Sequence, residues 1–399
     1  MDSPFLFVDE VETAGKICLV RLDLNVPLHD GRVGDDTRIR RILPGIEALR
    51  ASGARIVILT HLGRPKGKVV PEMSVAPVAA ALARLLTCAV PVEPDVTGPG
   101  GQAAVAALAD GGVMMMENLR FFAGEEANDR DFAASLAALG DIYVGDAFSC
   151  THRAHASVEA LPRMMAVATA GRALGQELTA LHRALADPAR PVAAIVGGAK
   201  VSTKLQVLEN LVTRVDMLIL GGGMANTFLL AEGHDVGASL VEADMVDTAR
   251  AIRARAADHG CRIILPEDYL VAEKLAAHVP HRVAGPGDVG AADMILDAGP
   301  ASAEVAAACL ADCQTVVWNG PMGAFEFPPF DQATNRLASA VADLTEAGGM
   351  MSVAGGGDTL AALANAGASD QFSYVSTAGG AFLEWLEGRE LPGVEALRR

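Results

Sequence analysis

Aromatic residues are scarce: Phe, Trp and Tyr together make up 4% of the 399 residues. Because 51% of the chain is apolar, its cores must be built from Ala, Val, Leu and Ile, which suits parallel sheets flanked by helices. Long apolar runs are missing too. None reaches the ~18 residues of a membrane-spanning helix, and Met1-Asp2-Ser3-Pro4 lacks the basic start of a secretory leader. A cytoplasmic protein that crosses no membrane is expected. Positive charge is in deficit: a formal net charge of −17 argues against nucleic acid and anionic membrane as partners. No C-x-x-C pair occurs among Cys18, Cys88, Cys150, Cys261, Cys309 and Cys313, so reduced thiols inside apolar runs are expected. The Walker A spacing is also absent. Gly285-Pro286-Gly287-Asp288-Val289-Gly290 matches the dinucleotide fingerprint by letter. It follows a poor strand and precedes an apolar, strand-like segment rather than a helix, so a nicotinamide-dependent dehydrogenase is rejected.

What is present is an alternation of strands and helices over a length that usually makes two domains. Strands are expected at Ile17–Asn25, Arg55–His61, Val90–Val92, Val113–Glu117 and Ile142–Asp146. Helices are expected from Thr37 (interrupted near Pro44), at Val75–Leu86, at 102–109 and from Asp129 to Leu139. A second alternation runs from a strand at Val192–Val196 to one at Met350–Ala354, with a strand at Met294–Leu296 among its members. The helix Arg172–Ala186, bounded by Gly171 and Pro191, reads as a connector. The expected class is therefore α/β: two doubly wound parallel-sheet domains, 1–170 and 191–388, joined by a connecting helix at 171–190, with a cleft between them.

Charge is unevenly spread. Residues 1–170 carry a net −5 and the remainder −12, so a site for an anion is sought in the first half. Arg38, Arg64, Arg120 and Arg153 stand at the ends of four different strand-to-helix connections, with Asp23, Asn25 and His61 in the same loops. One such arginine alone would be a surface ion pair. Four at equivalent topological positions suit phosphate or carboxylate, which the planar fork of arginine matches. His152 and His155 have a metal-like spacing but no third ligand, and are expected to donate to an anion or cap a loop. In the second half, Gly355-Gly356-Gly357-Asp358-Thr359 reads as strand, tight turn and helix start. Such a start offers free N–H groups and a positive dipole to phosphate, while Asp358 supplies a hard oxygen for Mg²⁺. Lys200 and Lys204 follow Gly197-Gly198 and are expected one turn apart on a shared helix face. Gly221-Gly222-Gly223, Asn319-Gly320 and Gly379-Gly380 repeat the glycine break, and Glu326 follows the Trp318 loop.

Taken together, these stretches resemble the phosphoglycerate kinase family from end to end. The resemblance is carried by Arg21–Pro27, Asp35–Arg38, His61–Gly67, Glu117–Phe121, Asp146–Ser157, Gly197–Lys204, Gly221–Phe228, Leu296–Pro300, Trp318–Glu326, Gly355–Thr359 and Ser376–Glu384, in family order. It implies that the N-terminal domain binds 3-phosphoglycerate or 1,3-bisphosphoglycerate through Asp23, Asn25, Arg38, His61, Arg64, Arg120 and Arg153. It implies that the C-terminal domain binds Mg-ATP or Mg-ADP through Lys200, Lys204, Glu326, Gly356, Gly357, Asp358, Thr359, Gly379 and Gly380, with Asp358 on the metal. Catalysis falls to Arg38 and Lys204, which flank the transferred phosphoryl group. Residues 389–399 return to the first domain, the domains close over the substrates, and the protein is a monomer. Ala378 and Ile295 stand where the family usually has glycine. They are expected to touch the phosphate loop and the adenine site, and are the sole support for a competing reading, a catalytically weakened relative retained for ligand binding. Whether the reaction serves glycolysis, gluconeogenesis or carbon fixation depends on mass action.

Overall fold

The computed structural model of the chain describes residues 4–399. The chain divides into two compact units: one reaches Leu178 and also takes in Glu390–Arg399, and the other spans Thr179–Arg389.

The first unit is built on six strands, β1 (Ile17–Leu22), β2 (Arg55–Leu59), β3 (Val92–Glu93), β4 (Val113–Met116), β5 (Ile142–Asp146) and β6 (Ala168–Ala170). All pair in parallel, in the order β3-β4-β2-β1-β5-β6. β5 is buried along its whole length, as strands covered on both faces are. β1 and β2 end earlier than the apolar runs suggest. The Thr60 hydroxyl takes over from the ladder there, donating to Leu22 O at 3.0 Å and accepting from Leu24 N at 3.2 Å. The helix Thr37–Ala51 runs straight through Pro44, where an interruption was expected. Pro44 forfeits a helix hydrogen bond, but Ile39, Ile42, Ile46 and Leu49 bury a stripe on both sides of it. Four buried aliphatic side chains outweigh one lost bond.

Asp146 ends β5 and is nearly inaccessible. Its Oδ1 accepts from Leu174 N at 2.7 Å, capping the helix Arg172–Leu181. Burial pushes this carboxyl up to about 6. The folded value lies above the unfolded one, so the folded protein holds the extra proton between the ordinary carboxyl value and about 6. Stability therefore falls as pH rises through that window and stays lower above it. Asp146→Asn is expected to flatten this part of the pH–stability curve, removing a change of roughly 3 kcal/mol. Denaturant titrations of both proteins across the window check this, and equal slopes would show that Asp146 does not titrate there.

The second unit carries β7 (Val192–Val196), β8 (Met217–Leu220), β9 (Arg262–Ile264), β10 (Tyr269–Ala272), β11 (Arg282–Ala284), β12 (Met294–Ala298), β13 (Thr315–Asn319), β14 (Met351–Gly355) and β15 (Tyr374–Ser376). Its main sheet is parallel, ordered β9-β8-β7-β13-β14-β15. The fold class is thus α/β with two doubly wound parallel sheets. β12 departs from the expected alternation. It lies in a separate three-stranded antiparallel sheet, β11-β10-β12, where Ile295 packs with Leu229, Val236, Tyr269 and Val271. Antiparallel pairing leaves one face less covered, hence the alternating burial of its first residues. The Gly285–Gly290 segment connects β11 to β12, with a strand on either side and no helix after it. The connector is α-helical over Arg172–Leu181 and π-helical over His182–Ala186, and the border between the units falls within it. All six cysteines are free. Among the described residues no helix is long and apolar enough to cross a membrane.

Candidate active site

In each parallel sheet the strand order reverses beside the first strand, at β1/β5 in one unit and β7/β13 in the other. Ligands of open α/β sheets bind beyond the carboxyl ends at such points.

In the first unit the loop after β1 presents Asp23 and Asn25. Arg38, in the first turn of its helix, donates from Nη1 to Asp23 Oδ2 at 2.7 Å and to Asn25 O at 3.3 Å. Ser149 Oγ, from the loop after β5, donates to the same Asp23 oxygen at 2.5 Å. Asn25 Oδ1 accepts from Gly63 N at 2.9 Å, and Gly63 O accepts from Arg120 Nη1 at 2.7 Å. One hydrogen-bonded chain therefore joins the loops after β1, β2, β4 and β5. Gly63 has a φ of +62°, which glycine adopts without strain. Arg120 is buried, with Nε 3.5 Å from Glu126 Oε1. Arg64 is exposed just past Gly63. Arg153 Nε donates to His152 Nε2 at 3.2 Å, and His155 Nδ1 lies 4.0 Å from Glu125 Oε1. The His152–His155 spacing thus serves neighbouring side chains of the same loops.

Electrostatics ties the set together. Burial holds the His61 imidazole well below its ordinary value, and the charges of Arg21, Arg120, His155 and Arg153 lower it further. His155 is lowered to about 4, again by burial first. A neutral histidine is what burial among guanidinium groups imposes, since a further cation there would add only repulsion. Asp23, His61 and Cys150 also bring three ligand-type atoms within 4.8 Å of one another.

In the second unit glycine backbones meet where side chains would collide. A Cβ on Gly197 would sit 1.7 Å from Pro321 O, and one on Gly320 would sit 2.2 Å from Gly197 O. Lys204 Nζ reaches into this junction, donating to Gly197 O at 2.6 Å and Asn319 O at 2.9 Å. Asn319 Nδ2 donates to Gly355 O at 2.7 Å. Thr359 Oγ1 donates to Gly355 O at 2.9 Å and accepts from Gly320 N at 2.7 Å. Gly356, at φ +103°, caps the helix Gly357–Asn365. Burial pulls the Lys204 ammonium down, and the exposed Asp358 in the helix's first turn offsets part of that, leaving it at about 8.

Lys200 does not share a helix face with Lys204. The helix starts only at Leu205, with Lys204 at its N-cap, and Lys200 is exposed in the preceding loop. Glu242 holds that loop out of helical register, accepting from Ser202 N at 2.9 Å and Ser202 Oγ at 2.5 Å. Glu326 is exposed beyond β13 and stands outside the hydrogen-bonded set. Gly379 and Gly380 open the helix Gly379–Leu386 beside the Gly356 turn, because Ser376 pairs with Gly355 across β14 and β15. Ala378 has a φ of −95°, a conformation any residue adopts, and Ile295 is packed in the small sheet's core. Neither distorts the loops, so the weakened-relative reading loses its support.

Sequence reasoning gave no role to Arg21, Ser149, Asn319 or the Glu125–Ser157 pair, although Arg21 and Asn319 lie in stretches it singled out. Arg21 had a usable signal, a charge inside the apolar run Ile-Cys-Leu-Val-Arg-Leu, which burial permits only with partners. Glu125 had none, being indistinguishable from Glu126 beside it.

Comparison with known proteins is consistent over the whole length. The sequence model described as phosphoglycerate kinase matches residues 8–389. A phosphoglycerate kinase of Azorhizobium caulinodans is 58% identical over 99% of both chains, and one of Ruegeria sp. is 56% identical over 98% of both. The solved structure of phosphoglycerate kinase from Coxiella burnetii superposes with a TM-score of 0.93 at 43% identity, covering 99% of each chain. The chain therefore belongs to the phosphoglycerate kinase family, phosphotransferases that act on a carboxyl group.

Proposed function

We propose that the protein catalyses reversible, Mg²⁺-dependent phosphoryl transfer between 1,3-bisphosphoglycerate and ADP, giving 3-phosphoglycerate and ATP. The observation that carries this is the pairing of one fold with two unlike anion sites: a guanidinium-rich edge around a neutral His61, and a glycine junction holding Lys204 beside Asp358. The first suits the phosphate and carboxyl ends of a glycerate. The second suits a nucleotide tail lying on a helix start. Arg64, Arg120 and Arg153 anchor the glycerate's far phosphate, Asp23 and Asn25 address its hydroxyl and carboxyl end, and Glu326 takes the ribose. The Asp358 carboxylate, exposed and in no hydrogen bond among the described residues, fits Mg²⁺, which keeps most of its waters and takes one or two carboxylates plus phosphate oxygens. Bound there, the ion neutralises charge on the nucleotide phosphates.

Transfer of this kind needs positioning and charge neutralisation rather than a protein nucleophile. The reaction is direct and in line, with Arg38 and Lys204 stabilising the equatorial oxygens. The two units close over the substrates, excluding water that would hydrolyse the acyl-phosphate. Identical solution scattering with and without both substrates would remove the closure step. A net charge of −17 disfavours nucleic acid and anionic membrane as partners, and the family resemblance favours a cytoplasmic monomer.

The deciding experiment is a steady-state assay with 3-phosphoglycerate and Mg-ATP, coupled to a dehydrogenase that consumes 1,3-bisphosphoglycerate. Turnover of about 1–100 s⁻¹ is expected, and none at saturating substrates overturns the reading. The Lys204 ammonium adds a pH dependence. It loses its proton as pH rises through about 8, so kcat/KM, which reports the free enzyme, is expected to fall above that pH. In Lys204→Arg the residual activity should show no such limb, since a guanidinium stays charged.

A further inference from the structure

Arg21, one residue before the end of β1, places a cation where it is 2% exposed. Each of its nitrogens is engaged. Nε donates to Ser157 Oγ at 2.8 Å, Nη1 donates to Leu22 O, and Nη2 lies 3.1 Å from His61 Nδ1. Ser157 passes the contact on. Its hydroxyl donates to Glu125 Oε1 at 2.6 Å and its amide to Glu125 Oε2 at 2.9 Å, while Tyr143 Oη fixes Ser157 O at 2.9 Å. Glu125, Ser157, Arg21 and His61 are all buried.

The direction of every proton in this relay is set by chemistry. A guanidinium has donors and no acceptor, so His61 Nδ1 must present its lone pair to Arg21. A neutral imidazole with an unprotonated Nδ1 carries its single proton on Nε2. Ser157 has one hydroxyl proton, which goes to the carboxylate, leaving its lone pair for Arg21. Glu125 thereby balances the Arg21 charge through one hydroxyl without touching it.

We infer that Arg21 is a positioning residue, which by occupying Nδ1 locks His61 as a neutral Nε2–H donor to the phosphorylated glycerate, and that the buried Glu125–Ser157 pair holds Arg21 in that role. The inference rests on the proposed assignment of this unit to the glycerate. The lock supplies a directional hydrogen bond that does not vary with pH near neutrality. It also disfavours a metal at the Asp23–His61–Cys150 trio, because a cation already sits on His61 and Arg120 and Arg153 add to the same field.

The test uses the full-length protein labelled with ¹⁵N-histidine, with His61 assigned by the signal lost in His61→Gln. Long-range ¹⁵N–¹H spectra should show an unprotonated Nδ1 and a protonated Nε2, unchanged through the ordinary histidine range near pH 6.5. Adding 3-phosphoglycerate should shift the Nε2–H signal. Arg21→Met combined with Glu125→Gln removes both buried charges together. In it His61 should titrate, and KM for 3-phosphoglycerate should rise about tenfold and become pH-dependent while KM for ATP holds. An Nδ1–H tautomer or an imidazolium in the wild type overturns the inference, as does a His61 signal indifferent to 3-phosphoglycerate. The tautomer is read without turnover, so it decides the matter even where the double variant fails to fold. A locked tautomer in a protein that shows no kinase activity would count against the proposed function instead.

Discussion

Arg38→Ala is expected to lower kcat about 100-fold, roughly 3 kcal/mol of transition-state stabilisation, with KM for ATP little changed. Arg38 stands in the first turn of its helix and is 44% exposed. Both of its hydrogen bonds, to Asp23 and to Asn25 O, use Nη1, which leaves the second amino group of the fork for an arriving phosphoryl oxygen. The pair with Asp23 is too exposed to contribute much stability, so the substitution should leave the melting temperature near that of the wild type. Arg38→Lys should recover only part of the rate, because an ammonium cannot reproduce the fork. Steady-state kinetics decide the point. A raised KM for ATP with kcat intact would assign Arg38 to ground-state binding.

Gly197→Ala is expected to cost about 4 kcal/mol or more and to abolish nucleotide binding, while the first unit still binds 3-phosphoglycerate. The added methyl would sit 1.7 Å from Pro321 O and 2.6 Å from Pro321 C, contacts with backbone that no rotamer relieves. Separating them pushes apart the ends of β7 and β13, which are joined by Gly197 N donating to Asn319 O at 3.1 Å. The same movement pulls away both carbonyls that hold Lys204. Gly349→Ala, an exposed glycine of the same unit away from the nucleotide loops, is the control, since a Cβ there meets nothing closer than 3.7 Å. Thermal unfolding and ATP titration of the two variants make the comparison. A stable, nucleotide-binding Gly197→Ala protein would mean that the junction is far softer than the contacts imply.

How much of this was legible in the sequence follows from what each signal depends on. Parallel strands covered on both faces are continuous apolar runs, so β1, β5, β7 and β13 could be placed from composition alone. The antiparallel β10 was not found and β11 registered only as a poor strand, because Tyr269–Ala272 and Arg282–Ala284 are too short for periodicity to register. Pro44 was overvalued as a breaker, since local propensity says nothing of the buried stripe on either side of it. Among site residues, the strand-end arginines and the glycine turns could be read because topology fixes where strand ends go. The shared helix face of Lys200 and Lys204 failed because Glu242, some forty positions along the chain, decides the conformation of that loop. The Glu125–Ser157–Arg21 relay likewise depends on contacts between residues far apart in sequence, to which spacing is blind.

The chain leaves its first unit near Leu178 and comes back to it at Glu390. There Gly393 N donates to Thr151 O at 2.9 Å, Leu391, Val394 and Leu397 are buried, and Phe5 bridges to Arg398. On a ribosome this inverts the usual order of maturation, in which the segment made first folds first. The second unit is contiguous and can settle as it emerges. The earlier-made unit must wait, with the Thr151 loop after β5 uncovered, until residues 390–399 have cleared the exit tunnel. The loop that carries Arg153 thus gains its full support only after the whole second unit has been made.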